Sequence, residues 1–274
     1  MIQLPFSDAE HQAFYWQKGT DAALLIHGFP GTPSEMRPLG SLFQAAGWTA
    51  HAPLLPGFGP EADTLAQRNF HEWIDAVRNS HSLLARDHTR ILIVGNSMGG
   101  ALALIVAANC KPDGLILFAP FTRFASRLHE FLWPLISRVL SEIKPFQKAD
   151  FSSPEIRRAI GRMFKHINPD DARVQEKIRN LRLPIRALDQ LRQVGRAALN
   201  AATRLQAPAL VLQGSNDRIV TPATTLGLLS RLRNRTYYFE MDAGHDLVEP
   251  ECPAWPEVSS CVLDFANRIP DKQT

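Results

Sequence analysis

The stretch Ile91-Leu92-Ile93-Val94-Gly95-Asn96-Ser97-Met98-Gly99-Gly100 joins an uninterrupted apolar run to a turn flanked by glycines. The apolar run is typical of a parallel strand that is buried on both faces. The Ala-rich residues from Met98 to Asn109 then predict a helix. A chain that turns sharply from strand to helix needs neighbours without bulk, which the glycines provide. This stretch therefore predicts a strand–turn–helix unit of an α/β fold.

Strand-like runs and helical patterns alternate on both sides of this unit. We predict further strands at Ala22–Ile26, Thr49–Ala52, Gly114–Phe118, Ala209–Gln213 and Thr236–Glu240. We predict further helices at Phe70–Ala85, Pro222–Leu232 and Trp255–Arg268. The helix after the first of these strands has two alternative starts, a capping box made by Thr32 and Glu35 or a later start at Pro38. Such alternation is typical of a parallel sheet wrapped by helices, so the predicted fold class is α/β.

The alternation stops between residues 121 and 203, where no strand-like run occurs. Apolar residues from Phe124 to Ile143 recur at helical spacing, and further helical patterns lie near Pro154–His166, Asp171–Leu181 and Ile185–Thr203. We interpret residues 121–203 as a helical insertion in one α/β domain. The predicted organisation is a first part of the core at residues 1–120, the insertion at 121–203 and a second part of the core at 204–274.

The insertion also differs from the rest of the chain in charge. It carries 16 Lys and Arg against 8 Asp and Glu, whereas the whole chain carries 30 and 27. The balance is therefore +8 in the insertion and −5 elsewhere, which supports a separate structural unit. A formal net charge of only +3 does not indicate nucleic acid as a partner. A hydrophobic fraction of 45% with 3 Cys excludes disordered, collagen-like and disulfide-scaffold classes.

Targeting signals and cysteines bear on the compartment. Residues Met1–Asp8 lack the basic and apolar regions of a signal peptide. The most apolar window, Ile91–Ala108, is interrupted by glycines and polar residues, which argues against a membrane-spanning helix. The odd number of cysteines indicates reduced thiols, so we predict a cytoplasmic protein. The alternative is an exported protein in which Cys252 pairs with Cys261.

The turn at Ser97 carries the first candidate for chemistry. Its sequence matches the G-x-S-x-G nucleophile turn, and a predicted strand and a predicted helix flank it as that turn requires. The helix that starts at Met98 points free N–H groups and its positive dipole end at the serine hydroxyl. The alternative is a Gly/Ser turn without chemistry. We predict Ser97 as a catalytic nucleophile.

A serine nucleophile needs a base that a third group orients. In this type of turn the order along the chain is Ser, then Asp or Glu, then His. Asp217 and His245 have that order, and each follows a predicted strand. Asp242 and Asp246 are rivals to Asp217, although they flank the histidine so closely that their carboxylates are hard to aim at its ring. Six other histidines lie in helical or terminal positions, and we predict them at the surface: His11, His71, His81, His88, His129 and His166.

Acyl transfer also needs two donors for the negative charge on the carbonyl oxygen. The backbone N–H of Met98, the residue after the nucleophile, is one candidate. The loop His27-Gly28-Phe29-Pro30-Gly31 offers the second, because Phe29 has an N–H and Pro30 has none. The alternative interpretation of this loop is a turn that merely ends a strand.

Together these motifs resemble the α/β-hydrolase superfamily, and most closely its carboxylesterase and monoacylglycerol lipase branch, related to the serine aminopeptidase-like hydrolases. The motifs that carry the resemblance are the loop from His27 to Leu39, the turn at Ser97, Gly214-Ser215-Asn216-Asp217 and Gly244-His245. The resemblance implies an eight-stranded, mostly parallel sheet with a helical cap after the sixth strand, and no metal ion or cofactor. It also implies Ser97 as nucleophile, His245 as base and Asp217 as the group that orients the base.

The chain departs from the pattern of this branch at two positions. Many members have His where this chain has Asn96, and many have Gly-His-Gly where it has Gly57-Phe58-Gly59. Neither departure removes a predicted catalytic group.

These observations predict a metal-free serine esterase that acts on short- or medium-chain acyl esters, including monoacylglycerols. Alternatives with the same three residues are a thioesterase, an aminopeptidase-like amidase and a C–C bond hydrolase, and a further one is a non-catalytic ligand-binding member of the fold. The predicted partner is a small-molecule ester. The apolar stripe of the insertion has two interpretations, packing against the core or transient contact with a lipid interface beside its basic face.

Overall fold

The computed structural model describes residues 6, 8–124, 133, 135, 137–153, 156, 157, 168 and 170–270. In these residues seven strands form one sheet: β1 (Phe14–Trp16), β2 (Asp21–Ile26), β3 (Thr49–Ala52), β4 (Arg90–Asn96), β5 (Gly114–Phe118), β8 (Ala209–Gly214) and β9 (Thr236–Met241). Their order in the sheet is β1-β3-β2-β4-β5-β8-β9. Only β1 runs antiparallel to its neighbour, and the other pairs are parallel. The predicted α/β class with a mostly parallel sheet is confirmed.

Helices cover both faces of the sheet. They are α1 (Arg37–Ala45), α2 (Phe70–Leu84), α3 (Met98–Cys110), α4 (Ala172–Arg179), α5 (Ile185–Ala202), α6 (Pro222–Leu229) and α7 (Trp255–Arg268). On one face α2, α3 and α5 bury apolar side chains against the sheet, and on the other face α1 and α7 do so. Each strand of the sheet centre therefore buries both of its faces, which is why its sequence is apolar throughout.

The helix α3 is buried along most of its length. All residues from Met98 to Ala107 are buried, so the helix has no polar face. An apolar helix of this kind forms only where it is surrounded by other elements. It lies against β4, between α2 and α5, and so holds the turn at Ser97 in the middle of the molecule.

The insertion contains helices, as predicted, but also a short pair of strands. β6 (Glu142–Ile143) pairs antiparallel with β7 (Leu183–Pro184), so the prediction of a segment without strands is wrong. Two residues per strand are too few to produce an alternating pattern in the sequence. The predicted helix near residues 154–166 lies almost entirely outside the described residues, as does much of the apolar stripe between Phe124 and Ile143.

The described part of the insertion packs in two places. Its helix α5 joins the main core, and Gly195 lies so close to the Thr122 carbonyl that an added Cβ would be 2.3 Å from that oxygen. Phe151 and Ile178 form a separate small cluster with Phe6. The division of the chain at residues 120 and 203 stays a prediction.

Two details of the predicted sheet and first helix differ from the structure. The described residues give the main sheet seven strands where eight were implied, and five of them, not six, precede the insertion. Before β1 the chain forms a 3-10 turn at Ala9–His11 instead of a further strand, and the Arg37 side chain donates to the carbonyls of Ala9 and Glu10, at 2.9 and 2.8 Å. Thr32 caps a 3-10 turn at Pro33–Met36, where its hydroxyl accepts from the Ser34 N–H at 3.4 Å. The α-helix that follows begins at Arg37, one residue before the later of the two predicted starts.

Two histidines predicted at the surface are buried, so the prediction is wrong for them. His11 is 3% exposed, and its Nδ1 lies 2.8 Å from the hydroxyl of Thr32. His81 is 9% exposed because it lies one helical turn after Val77 on the buried face of α2.

None of the described helices combines the length and apolar character that a membrane crossing needs.

Candidate active site

The turn at Ser97 has the strained backbone that its sequence predicts. Ser97 lies between β4 and α3 with φ 53° and ψ −114°, a conformation that residues with a side chain rarely adopt. Its N–H donates to the Phe118 carbonyl at 2.9 Å, and its carbonyl accepts from the Phe121 N–H at 3.0 Å. A Cβ on Gly95 would lie 2.3 Å from the Gly99 oxygen. The turn is therefore held by hydrogen bonds on both sides of Ser97, and residue 95 has no room for a side chain.

Asp217 and His245 are in direct contact. His245 Nδ1 lies 2.6 Å from Asp217 Oδ2, and the Asp217 side chain is completely buried. The other carboxylate oxygen, Oδ1, accepts from the N–H groups of Ile219 at 2.8 Å and Val220 at 3.0 Å. Because the Nδ1–H donates to the carboxylate, Nε2 is the ring atom that remains to accept a proton. The His245 side chain is 15% exposed, so solvent and small molecules can reach it.

The two rival carboxylates bind other groups. Asp242 Oδ1 accepts from the Asn216 side-chain amide at 2.8 Å. Asp246 Oδ1 accepts from the Gly244 N–H at 3.1 Å. Of the three candidates, Asp217 is the one that the structure brings to the His245 ring.

The order of the strands brings the candidate residues to one edge of the sheet. The strands β2, β4, β5, β8 and β9 are parallel neighbours in that order, so their carboxyl ends meet. Phe29 follows β2 and Ser97 follows β4. Asp217 follows β8, and His245 follows β9. In the described part of the chain no hydrogen bond joins Ser97 Oγ to His245, a contact that often tightens only when substrate is bound.

The N–H groups of Phe29 and Met98 have no hydrogen-bond acceptor among the residues that the structure describes. Met98 is the first residue of α3, where no acceptor exists within the helix. The Phe29 N–H shares a planar peptide unit with the Gly28 carbonyl, so the two point in opposite directions. The Gly28 oxygen accepts from His27 Nδ1–H at 2.9 Å and from the Gly31 N–H at 3.0 Å. These two donors therefore set the direction of the Phe29 N–H.

The ring of His27 is a fully buried support for this loop. Its Nδ1–H donates to the Gly28 carbonyl, and its Nε2 accepts from the Leu55 N–H at 3.2 Å. Burial lowers the pKa of His27 to about 4, since a charged ring would lose its hydration. A protonated Nε2 would also be unable to accept from the Leu55 N–H. His27 is therefore neutral at neutral pH and links the loop of Phe29 to the loop that follows β3.

The lowered pKa of His27 predicts a specific loss of stability in acid. The unfolded chain takes up this proton near pH 6.5, whereas the folded chain does so only near pH 4. The neutral ring therefore stabilises the folded state fully above pH 6.5. The free energy of unfolding is expected to fall by about 3 kcal/mol as the pH falls from about 6.5 to about 4. Urea unfolding at about pH 7 and about pH 4 checks this prediction.

The variant His27→Gln, which cannot titrate, is expected to lose about 3 kcal/mol less than the wild type over the same pH range. The matched control is His71→Gln, because His71 is exposed in α2. This variant is expected to keep the full dependence on pH. An equal loss in the wild type and His27→Gln would contradict the assignment.

Sequence reasoning missed two residues of the site. Glu35 Oε1 accepts from the Gly28 N–H at 2.5 Å and from the Asn96 side-chain amide at 3.1 Å, instead of capping a helix from Thr32. Gln213 is completely buried, and its amide donates to the Val220 carbonyl at 2.8 Å across the loop of Asp217. A buried glutamine at the end of an apolar strand was a signal for the second residue. For Glu35 the sequence offered only its place near the loop.

The two residues that depart from the family pattern, Asn96 and Phe58, both contact other residues of the site. Asn96 binds Glu35, as described above. Phe58 is buried, and its ring lies edge-on to the rings of His27 and Phe29, with centroids 5.1 and 5.7 Å apart. Within the described residues no group of three or more His, Cys, Asp or Glu is placed to hold a metal ion, and no disulfide joins Cys252 to Cys261.

The chain is similar in sequence to known lipases and esterases over most of its length. Thermostable monoacylglycerol lipase of Bacillus sp. (strain H-257) is 26% identical over 250 residues, which cover 86% of this chain and 90% of that protein. Carboxylesterase of Bacillus subtilis (strain 168) is 23% identical over 210 residues, 76% of each chain.

Solved structures share the fold at lower identity. A structure from work on LipS and LipT, two metagenome-derived lipolytic enzymes, superposes with a TM-score of 0.76 at 19% identity and covers 95% of this chain and 98% of that one. The monoacylglycerol lipase of Paleococcus ferrophilus gives a TM-score of 0.65 at 17% identity and covers 92% and 96%. The family model for serine aminopeptidase, S33, matches residues 18–249. The chain is therefore a member of the serine aminopeptidase S33 family of α/β-hydrolases.

Proposed function

We propose that this protein is a carboxylic ester hydrolase with Ser97 as nucleophile, His245 as general base and Asp217 as the group that orients the base. The observation that carries the proposal is the 2.6 Å contact between His245 Nδ1 and Asp217 Oδ2 at the edge of the sheet where Ser97 lies. The similarity to a monoacylglycerol lipase and a carboxylesterase supports an ester as the substrate.

The proposed reaction proceeds through an acyl-enzyme. Ser97 Oγ attacks the ester carbonyl carbon while His245 Nε2 takes the hydroxyl proton. The N–H groups of Phe29 and Met98 bind the carbonyl oxygen as it becomes negative. The proton on His245 then passes to the leaving alcohol, and the acyl group stays on Ser97. A water molecule, deprotonated by His245, attacks the acyl carbon. The bond to Ser97 then breaks, His245 returns the proton to Ser97 Oγ, and the carboxylic acid leaves.

A fluorophosphonate probe tests the proposal directly, because it reacts with an activated serine. The wild type is expected to gain one label, and mass spectrometry of the digested protein is expected to place it on Ser97. A non-catalytic ligand-binding protein would remain unlabelled, and that result would overturn the proposal.

A panel of substrates distinguishes an ester hydrolase from a thioesterase or an amidase that uses the same three catalytic residues. We propose short- or medium-chain acyl esters, including monoacylglycerols, as the substrate class. The p-nitrophenyl esters of increasing chain length are expected to react faster than an acyl thioester or an amino-acid p-nitroanilide of matched size. Preference for the anilide would identify an amidase instead.

We also propose that the insertion contacts an anionic lipid surface. Leu135, Val139 and Leu140 are 63%, 72% and 46% exposed, and they lie in the segment whose charge balance is +8. Exposed apolar side chains in a segment with a net positive charge suit the boundary between anionic headgroups and acyl chains.

Sedimentation with lipid vesicles checks this contact. The protein is expected to bind vesicles with anionic lipid at least about tenfold more tightly than neutral vesicles, and added salt is expected to weaken the binding. Val139→Glu combined with Leu140→Glu is expected to lower the affinity by at least the same factor. Leu226→Glu is the matched control, since Leu226 is 50% exposed but lies outside the insertion. Equal binding to both kinds of vesicle would contradict the proposal.

A further inference from the structure

The side chain of Glu35 joins two loops that meet beside Ser97. Its Oε1 accepts from the Gly28 N–H at 2.5 Å and from the Asn96 Nδ2 at 3.1 Å. Gly28 belongs to the loop after β2, and Asn96 is the last residue of β4. The two loops are in contact at this point, because a Cβ on Gly28 would lie 3.3 Å from the Ser97 Cβ. One carboxylate oxygen therefore bridges the loop of Phe29 and the turn of Ser97.

The bridge acts on a glycine of the loop, Gly28, which directly precedes Phe29. Gly28 has no Cβ, so contacts with its neighbours must hold its backbone dihedrals in place. The His27 ring and the Gly31 N–H hold the peptide unit after Gly28 through its carbonyl. Glu35 holds the peptide unit before Gly28 through its N–H. With both peptide units held, the Phe29 N–H has one direction relative to Ser97.

The chemistry of the bridge suits a positioning role. Hydrogen bonds from N–H groups to a carboxylate are shorter and stronger than those to neutral acceptors. The second carboxylate oxygen, Oε2, would lie only 2.2 Å from a Cβ added to Gly31. The Glu35 side chain is therefore packed against the loop. The donor on the other side is Asn96, at the position where many members of the family have His.

We propose that Glu35 is a positioning residue that keeps the Phe29 N–H aligned with the carbonyl oxygen of the ester that Ser97 attacks, with Asn96 as its anchor on the strand. This inference rests on the proposed ester hydrolysis. Glu35 acts through Gly28 and touches no reacting atom. Loss of the bridge removes part of the stabilisation of the oxyanion, which exists only after Ser97 has attacked, so it lowers kcat more than it raises KM.

Steady-state kinetics with p-nitrophenyl butyrate test the role. Glu35→Ala is expected to lower kcat by about 10- to 100-fold and to change KM by less than about threefold, because misplacement of one oxyanion donor costs less than its removal. Glu35→Gln is expected to retain at least about one third of the wild-type kcat, since its amide oxygen still accepts from both donors. A purely structural role would lower the melting temperature without this separation of kcat from KM.

A double-mutant cycle tests whether Asn96 acts through the same bridge. Asn96→Ala alone is expected to lower kcat by about 3- to 10-fold, and it is expected to add little to Glu35→Ala, because the two residues share one contact. Full additivity of the two substitutions would remove Asn96 from the proposal.

Hydrogen exchange gives a readout that does not depend on activity. In Glu35→Ala the Gly28 amide is expected to exchange at least about tenfold faster than in the wild type. The matched control is Asp113→Ala, which removes a carboxylate that accepts from the Ile91 N–H at 2.8 Å at the other end of β4. This control is expected to leave the exchange of Gly28 and the value of kcat unchanged.

The outcomes separate this proposal from the proposed function. If the wild type neither hydrolyses esters nor takes the fluorophosphonate label, the proposed function is wrong, and with it the catalytic role of Glu35. Unchanged Gly28 exchange in Glu35→Ala overturns the bridge whatever the activity. If the wild type is active and the kcat of Glu35→Ala is within about threefold of the wild-type value, the proposed effect of Glu35 on the reaction is overturned.

Discussion

Replacing Ser97 by alanine is expected to lower kcat for p-nitrophenyl esters by at least about 10⁴-fold. The substitution removes the oxygen of the proposed nucleophile, while the N–H groups of Phe29 and Met98, the proposed oxyanion donors, remain to support slow attack by water. The fluorophosphonate label is expected to disappear at the same time. Release of p-nitrophenol, followed over hours at high enzyme concentration, measures the residual rate.

The fold is expected to survive this substitution. Alanine and serine both have a Cβ, so the strain of φ 53° is the same in both proteins, and the melting temperature is expected to change little. Ser215→Ala is the matched control, because Ser215 is an exposed serine in the loop that leads to Asp217. Activity of Ser97→Ala equal to that of this control would exclude Ser97 as the nucleophile.

The second large effect is expected for Asp217→Asn, with a fall in kcat of about 10³- to 10⁴-fold. The asparagine keeps one oxygen to accept from the N–H groups of Ile219 and Val220, so the loop is expected to stay in place. Its NH₂ group cannot accept from His245 Nδ1–H. The ring is then held with its proton on Nε2, where it is no longer able to take the proton of Ser97.

The rival carboxylate provides the control for this experiment. Asp242→Asn keeps an oxygen that accepts from the Asn216 amide and is expected to leave kcat within about threefold of the wild type. Steady-state kinetics of both variants at neutral pH compare the two carboxylates. If Asp242→Asn were the slower enzyme, the orienting group would be assigned to the wrong residue.

Local sequence patterns predicted most elements of the core to within two or three residues. The strand at residues 114–118 and the helix at 255–268 have the predicted bounds, because a buried strand and an amphipathic helix each leave a strong period in the sequence. Short elements left no such period. The three residues of β1 and the two-residue strands β6 and β7 were therefore missed.

The candidate site shows the same division between local and long-range information. Ser97 was predictable because the glycines beside it have a local steric reason: a Cβ on Gly95 would meet the Gly99 oxygen at 2.3 Å. For Glu35 the sequence offered a capping box with Thr32 as one of two alternatives, since that is a local pattern too. Its actual partner Asn96 is 61 residues away and depends on how β2 and β4 pair.

The amino-acid sequence was enough to predict the strand–turn–helix unit around Ser97 and the candidate loops that follow the other strands, because these features depend on neighbouring residues. The contact of His245 with Asp217, and not with Asp242 or Asp246, became visible in the three-dimensional structure. So did the bridge that Glu35 makes between the loop of Phe29 and the turn of Ser97. These contacts depend on the order of strands in the sheet, which places loops far apart in the chain at one edge and has no signature in local spacing.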